Sequence, residues 1–111
     1  MYSRVTEVYL VRRKFKSPTG KKEWLDWLNE LKKREEEVLT TVRNEGVRME
    51  ACFLSEDEDC VYYFMEVEDL KKAGEVFEKS KILVDREHEK VKASAFVSEV
   101  YLEKLFDFRN K

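Results

Sequence analysis

Apolar positions along this chain change period several times, and each change marks an element boundary. Residues 4–15 carry Val5, Val8, Tyr9, Leu10, Val11 and Phe15, a β-rich stretch that is apolar on both faces. Ser17-Pro18-Thr19-Gly20 breaks it, with Ser17 or Thr19 available as a helix cap and Pro18 suited to a first turn. A helical period follows to about Asn44: Trp24, Leu28, Leu31, Val38 and Val42 recur on one stripe, joined by Leu25, Trp27 and Leu39. Lys32, Lys33, Glu36 and Glu37 form its charged side, and Gly46 ends it as a left-handed cap. Residues 47–54 and 60–67 are two β-rich runs around the acidic turn Ser55-Glu56-Asp57-Glu58-Asp59, which predicts a hairpin. Asp69 caps a second helix over residues 70–80, turned inward through Leu70, Ala73, Val76 and Phe77, with Gly74 permitting close packing. Asp85 caps a third over residues 86–97, and residues 99–108 close the sheet. Strand, helix, strand, strand, helix, an extra helix and a last strand make the split βαβ plan: a ferredoxin-like α+β domain with a four-stranded antiparallel sheet, expected to span residues 1–111 as one unit.

Side-chain alternation then assigns faces. With Leu54 placed opposite Cys60, Val47, Met49, Ala51 and Phe53 share a face with Val61, Tyr63, Met65 and Val67, and this apolar face carries the helices. The other face collects Arg48, Glu50, Cys52 and Leu54 with Cys60, Tyr62, Phe64 and Glu66, and Tyr9 and Val11 are expected to join it. That is a large apolar patch for an open surface. A second copy laid sheet to sheet would cover it, so a homodimer is expected.

Composition narrows the partners. The net charge of −2, with acidic and basic residues interspersed, supplies no field for nucleic acid or anionic lipid, and no apolar run reaches the roughly 18 residues a membrane span requires. Neither a signal-peptide core nor a targeting segment is read at the start. Charged residues make up 41% of the chain and glutamine is absent, a balance that points to a thermophilic source. Two cysteines, Cys52 and Cys60, outside any CxxC spacing, fit free thiols in a reducing cytoplasm, although their placement on one face also admits a disulfide.

The opening EVYLVRRKFK, the tryptophan-bearing KKEWLDWLNELKKREEEVL, the hairpin end VYYFMEVEDLKKA, the segment DREHEKV and the ending KLFDFRN resemble a prokaryotic family of unknown function within the dimeric α/β barrel superfamily. The resemblance covers nearly the whole chain. It implies two ferredoxin-like subunits packed sheet to sheet. It brings no established activity; better-known members of the superfamily include antibiotic-biosynthesis-type monooxygenases, muconolactone isomerase and sugar mutarotases, expected to use a cleft on the open sheet face.

Candidate chemistry gathers on that face. Glu50 and Glu66 would form a carboxylate pair in which one pKa is raised by the other, suited to proton transfer on a small substrate; equally, Arg48 opposite Glu66 would make an ordinary ion pair. His88, the single histidine, falls near a helix N-terminus that favours its neutral form, and reads either as a packed structural residue or as a ligand-binding or proton-transfer group. Tyr9, Arg13, Tyr62 and Tyr101 are the candidate substrate-binding tips, with Arg12-Arg13-Lys14 as an anion-holding run or a solvated strand end. No ligand spacing supports a metal at Glu50, Glu66 and His88, and with three glycines there is no phosphate-cradling loop, so no cofactor is expected. The glycine- and aromatic-rich signature of RNA-recognition domains is absent too. Two readings stand: a dimer that binds a small organic molecule in the sheet cleft, with acid–base isomerase or monooxygenase-like chemistry, and a noncatalytic structural, sensory or interaction dimer.

Overall fold

The computed structural model describes residues 6–110, so the expected start of the first strand at Arg4 and Val5 lies outside the described residues. The elements are β1 (Glu7–Phe15), α1 (Pro18–Lys33), α2 (Glu35–Asn44), β2 (Val47–Leu54), β3 (Cys60–Val67), α3 (Leu70–Lys79), α4 (Leu83–Ala95) and β4 (Phe96–Tyr101). The four strands form one antiparallel sheet in the order β2-β3-β1-β4, with the helices on one side, which is the ferredoxin-like arrangement.

Local chemistry sets most boundaries as expected. Ser17 Oγ accepts from the Gly20 N–H at 3.1 Å to cap α1, and Asp69 Oδ1 accepts from the Lys72 N–H at 3.1 Å to cap α3. Gly46, at φ 72°, takes the left-handed conformation that turns the chain from α2 into β2.

Three boundaries differ. The long first helix is two, broken at Arg34 (φ −115°, ψ 37°), where the guanidinium binds both oxygens of Glu87 on α4 at 3.1 and 3.0 Å and also reaches Glu37. At this break an inter-helix ion pair ties the residue to α4, and the α1 stripe continues into α2 as Val38 and Val42. The last helix begins at Leu83, so Asp85 is not its cap but a buried residue of its first turn. The final strand starts early, at Phe96, and ends at Tyr101; residues 102–110 run on without regular structure.

Register decides the faces. Val47 pairs with Val67, but Met49 pairs with Glu66, and from there Glu50 lies opposite Met65, Cys52 opposite Tyr63 and Leu54 opposite Val61. The extra residue at Arg48 is a β-bulge, and it turns over the rest of β2 relative to the expected Leu54–Cys60 register. Glu50 and Cys52 therefore face the helices, while Met49, Ala51 and Phe53 join Tyr62, Phe64 and Glu66 on the open face. On β1, Tyr9 and Val11 pair with Met65 and Tyr63 and also face the helices, whereas Val8, Leu10 and Arg12 face outward. Cys52 and Cys60, both free thiols, end on opposite faces, which excludes a disulfide between them.

The buried core forms two clusters. One joins Phe15, Trp24, Trp27, Val61, Val84, Ala95 and Phe96 beneath α1 and α4; the other joins Val47, Val67 and Ala73 beneath α2 and α3. Gly20 makes the first possible, since α1 and α4 approach so closely there that a Cβ would stand 2.6 Å from the Ala95 carbonyl oxygen. Gly74 has no such neighbour and is not a packing glycine. The open face keeps Leu10, Met49, Phe53 and Val100 exposed at 36 to 57%.

Candidate functional site

Between the two core clusters the helices do not close onto the sheet, and a cavity of about 230 Å³ remains. Its apolar wall includes Leu31, Val42, Met65 and Phe77, and its polar wall Arg13, Glu45, Glu50, Tyr63, His88 and Lys92. Of the expected site residues, Glu50, His88, Arg13 and Tyr101 meet here, on the helix side of the sheet. The expected cleft on the open face is thereby corrected, because the bulge at Arg48 carries Glu50 inward and strand alternation does the same for Arg13.

Glu66 and Tyr62 are corrected as members of this constellation, since both lie across the sheet. Glu66 accepts from the Thr6 hydroxyl and stands 3.7 Å from Arg109, so it ties the C-terminal segment to the sheet. Tyr62 pairs with Arg12 and Phe53 on the open face. Tyr9 faces the helices but packs edge-on against Tyr101, with ring centroids 6.3 Å apart, beside the cavity and not in its lining.

Each polar group in the cavity carries a physical consequence. Trp27 donates its indole N–H to His88 Nδ1 at 2.8 Å, which leaves the imidazole proton on Nε2. Enclosure among Trp24, Trp27 and Phe77, helped by the charges of Lys92 and Arg13, holds the His88 pKa down to about 3. Its neutrality therefore comes from burial more than from the helix terminus. Glu50 stands at the rim of edge strand β2 and accepts from the Tyr63 hydroxyl at 2.9 Å; desolvation raises its pKa despite that bond, and burial pushes the Tyr63 phenol up as well.

Glu45, just past α2, is raised to about 7, first by desolvation and further by the charges of Asp85 and Glu50. Its Oε2 is 3.0 Å from Thr41 Oγ1, whose hydroxyl also lies 2.7 and 2.6 Å from the two oxygens of Asp85. One hydroxyl proton cannot serve two carboxylates. Asp85 also accepts from Ser80 Oγ at 2.5 Å, and the two carboxyl groups compete for the Thr41 proton.

Glu45, Thr41, Tyr63 and Lys92 were not among the expected site residues. Lys92 follows His88 by four residues, and that spacing on one helix is a sequence signal that places them together. Glu45 carries none, because its position beside Gly46 reads only as the end of a helix. Among the described residues no group of three or more His, Cys, Asp or Glu is arranged to hold a metal ion.

Fold and cavity together define a ferredoxin-like α+β domain with an internal polar pocket. The chain belongs to a family of unknown function (DUF6176), whose model matches residues 6–109. A crystal structure of a dimeric ferredoxin-like protein from an uncultured marine organism is similar to it, with a TM-score of 0.62 at 14% identity over 98% of this chain and 95% of that one. At that identity the likeness concerns the fold alone. No curated protein matches the chain. Among the described residues no helix is long and apolar enough to cross a membrane.

Proposed function

We propose that the protein binds a small organic molecule in the cavity between helices and sheet and exchanges a proton with it through Glu45 and Glu50, with His88 Nε2–H as a hydrogen-bond donor. The observation that carries this reading is a cavity whose wall brings Glu45, Glu50, Arg13, His88 and Lys92 together, with desolvation raising the Glu45 pKa to about 7. A general acid or base works best when its pKa lies near the working pH. A gap left by imperfect core packing would be lined by apolar groups and stay dry; this one is lined by Arg13, Asp85, His88 and Lys92 besides Glu45 and Glu50. Its volume of about 230 Å³ lies below the roughly 300 Å³ at which sites for drug-sized ligands begin. A compact metabolite is the fitting occupant.

Fragment mixtures of small aliphatic and aromatic alcohols, amides, ketones and acids, added to ¹⁵N-labelled protein, test the binding. Saturable shifts concentrated at the amides of Thr41, Glu45, Glu50 and His88 are expected. A full set that leaves these resonances unmoved at millimolar concentration overturns the reading. The chemistry is tested on bound ketones in D₂O, where deuterium should enter the carbon next to the carbonyl, and Glu45→Gln should slow that exchange.

A second observation favours self-association. Leu10, Met49, Phe53 and Val100 leave the open sheet face apolar, and exposed Leu105, Phe106 and Phe108 follow β4 along the molecule. A second copy packed on that face buries the four sheet residues. In this reading a homodimer is the working form. If the cavity takes no ligand, the dimer stands as a noncatalytic structural or interaction module. The charge-rich composition and the separated thiols support a reducing cytoplasm in a thermophilic host as its setting.

A further inference from the structure

Arg13 sits in the middle of β1, 5% exposed, and its charge is only partly answered. Glu99, its partner across the β1–β4 ladder, accepts from Nε at 2.7 Å. The guanidinium carbon lies 4.7 Å from the centre of the Tyr63 ring. Nη1 is buried and has no hydrogen-bond partner. A guanidinium stays charged in proteins and presents five N–H donors in a planar fork that fits a carboxylate with two parallel bonds. Leaving a buried charged donor unmatched is costly, and native structures rarely do so without a reason.

The groups around Arg13 accentuate the imbalance. Lys92 reaches into the same cavity from α4, and His88, one turn earlier, offers its Nε2–H without an acceptor among the described residues. Burial and the Arg13 charge depress the pKa of both. Glu50 is not in ion-pair contact with Arg13; its carboxyl already takes the Tyr63 hydroxyl and is pushed toward its neutral form. Leu31, Val42, Met65 and Phe77 give the cavity its apolar surface, with Phe77 beside His88 and Lys92 and Met65 opposite Glu50 on the sheet.

We propose that the cavity takes a small monocarboxylate, its carboxylate set against Arg13 and Lys92 and its apolar or aromatic body against Leu31, Val42, Met65 and Phe77. The proposal rests on the reading of this cavity as a ligand site and specifies the class of ligand. A single anion answers the one guanidinium nitrogen, Nη1, left without a partner. A phosphate group is the poorer fit, because no glycine-rich loop faces the cavity and the buried Asp85 carboxylate in the first turn of α4 lines it and repels a second negative charge.

Sodium benzoate and benzamide have nearly the same shape and differ in charge, so they make the decisive pair of probes, with inorganic phosphate as a third. Titration of the ¹⁵N-labelled full chain should give benzoate a Kd at least tenfold below that of benzamide, with shifts at His88 Nε2 and the Arg13 side chain. Phosphate should bind more weakly than benzoate. Arg13→Gln should bring benzoate to the level of benzamide. If that variant fails to fold, Lys92→Gln serves instead, weakening benzoate severalfold more than benzamide. Equal affinity for benzoate and benzamide overturns the carboxylate assignment while the cavity remains a ligand site, and so does tighter binding of phosphate. If no probe moves a cavity resonance while the neutral fragments do, the assignment again fails alone; if the fragments fail as well, both readings fall.

Discussion

Trp27 on α1 and His88 on α4 are joined by a hydrogen bond of 2.8 Å from the indole N–H to Nδ1, and that bond determines which imidazole nitrogen carries the proton. The ring should therefore show the neutral Nε2–H tautomer in ¹⁵N spectra from pH 8 down to pH 5, with protonation only toward its pKa of about 3. A midpoint near the ordinary 6.5 would mean that the ring is open to water. The linkage has a definite sign. The unfolded chain takes up this proton at about 6.5 and the folded chain only near 3, so the contribution to stability is complete above that window and is lost as pH falls through it, by up to about 5 kcal/mol. Trp27→Phe keeps the ring and removes the donor; it should cost about 1 to 3 kcal/mol in urea unfolding.

Glu45 works in the opposite sense. Its folded pKa of about 7 lies above the ordinary 4.5, so the folded protein holds an extra proton between these values and loses stability as pH rises through them. Glu45→Gln keeps the hydrogen-bonding capacity toward Thr41 without the charge. At pH 8 the variant should be more stable than the parent by about 1 to 2 kcal/mol, less than the full shift would imply because water screens part of the carboxyl. At pH 4 the two should unfold alike. An equal difference at both pH values would show that Glu45 titrates normally.

Gly20 and Gly74 should respond oppositely to alanine. At Gly20 the new methyl would stand 2.6 Å from the Ala95 carbonyl oxygen, which also accepts the Lys16 N–H at 2.9 Å. Forcing α1 and α4 apart should cost about 1 to 3 kcal/mol. At Gly74 nothing outside the helix's own backbone lies within 4 Å of where a Cβ would stand, and the gain in helix propensity should stabilise by about 0.5 to 1 kcal/mol. Thermal unfolding of the two variants separates a contact glycine from an incidental one.

These contrasts show what the sequence can express. Ser17, Gly46 and Asp69 act on backbone groups a few residues away, so their roles are readable from neighbours in the chain. Trp24 and Trp27 keep helical spacing, and both are buried where that spacing put them. The face of β1 was ambiguous because Val8 and Leu10 on one side match Tyr9 and Val11 on the other, and only pairing with β3 separates them. The bulge at Arg48 carries no glycine or proline to announce it, yet it alone moves Glu50 and Cys52 from the open face to the cavity side. The break at Arg34 coincides with its ion pair to Glu87, 53 positions away, a contact that no local period records. The ionisable site was legible in part for the same reason: Arg13, Glu50 and His88 could be nominated one by one, but the cavity that joins them depends on register.

The open sheet face supplies the test of assembly. Tyr62 lies there between Arg12 and Phe53, with Phe64 and Leu10 on the same face of the sheet. If two such faces meet, a carboxylate at position 62 would be buried without a partner, at a cost large enough to separate the copies. Light scattering at micromolar concentration should give the parent protein twice the mass of one chain and Tyr62→Glu the mass of one. Circular dichroism should show the variant folded, because Tyr62 contributes nothing to the helix-side core. Lys32→Glu, on the outer surface of α1, should leave the mass unchanged and so separate an effect of place from one of added charge. A parent protein that scatters as a single chain overturns sheet-to-sheet assembly outright. A Tyr62→Glu variant that stays dimeric moves the interface elsewhere, and the exposed Phe106 and Phe108 of the C-terminal segment are then the next surface to alter.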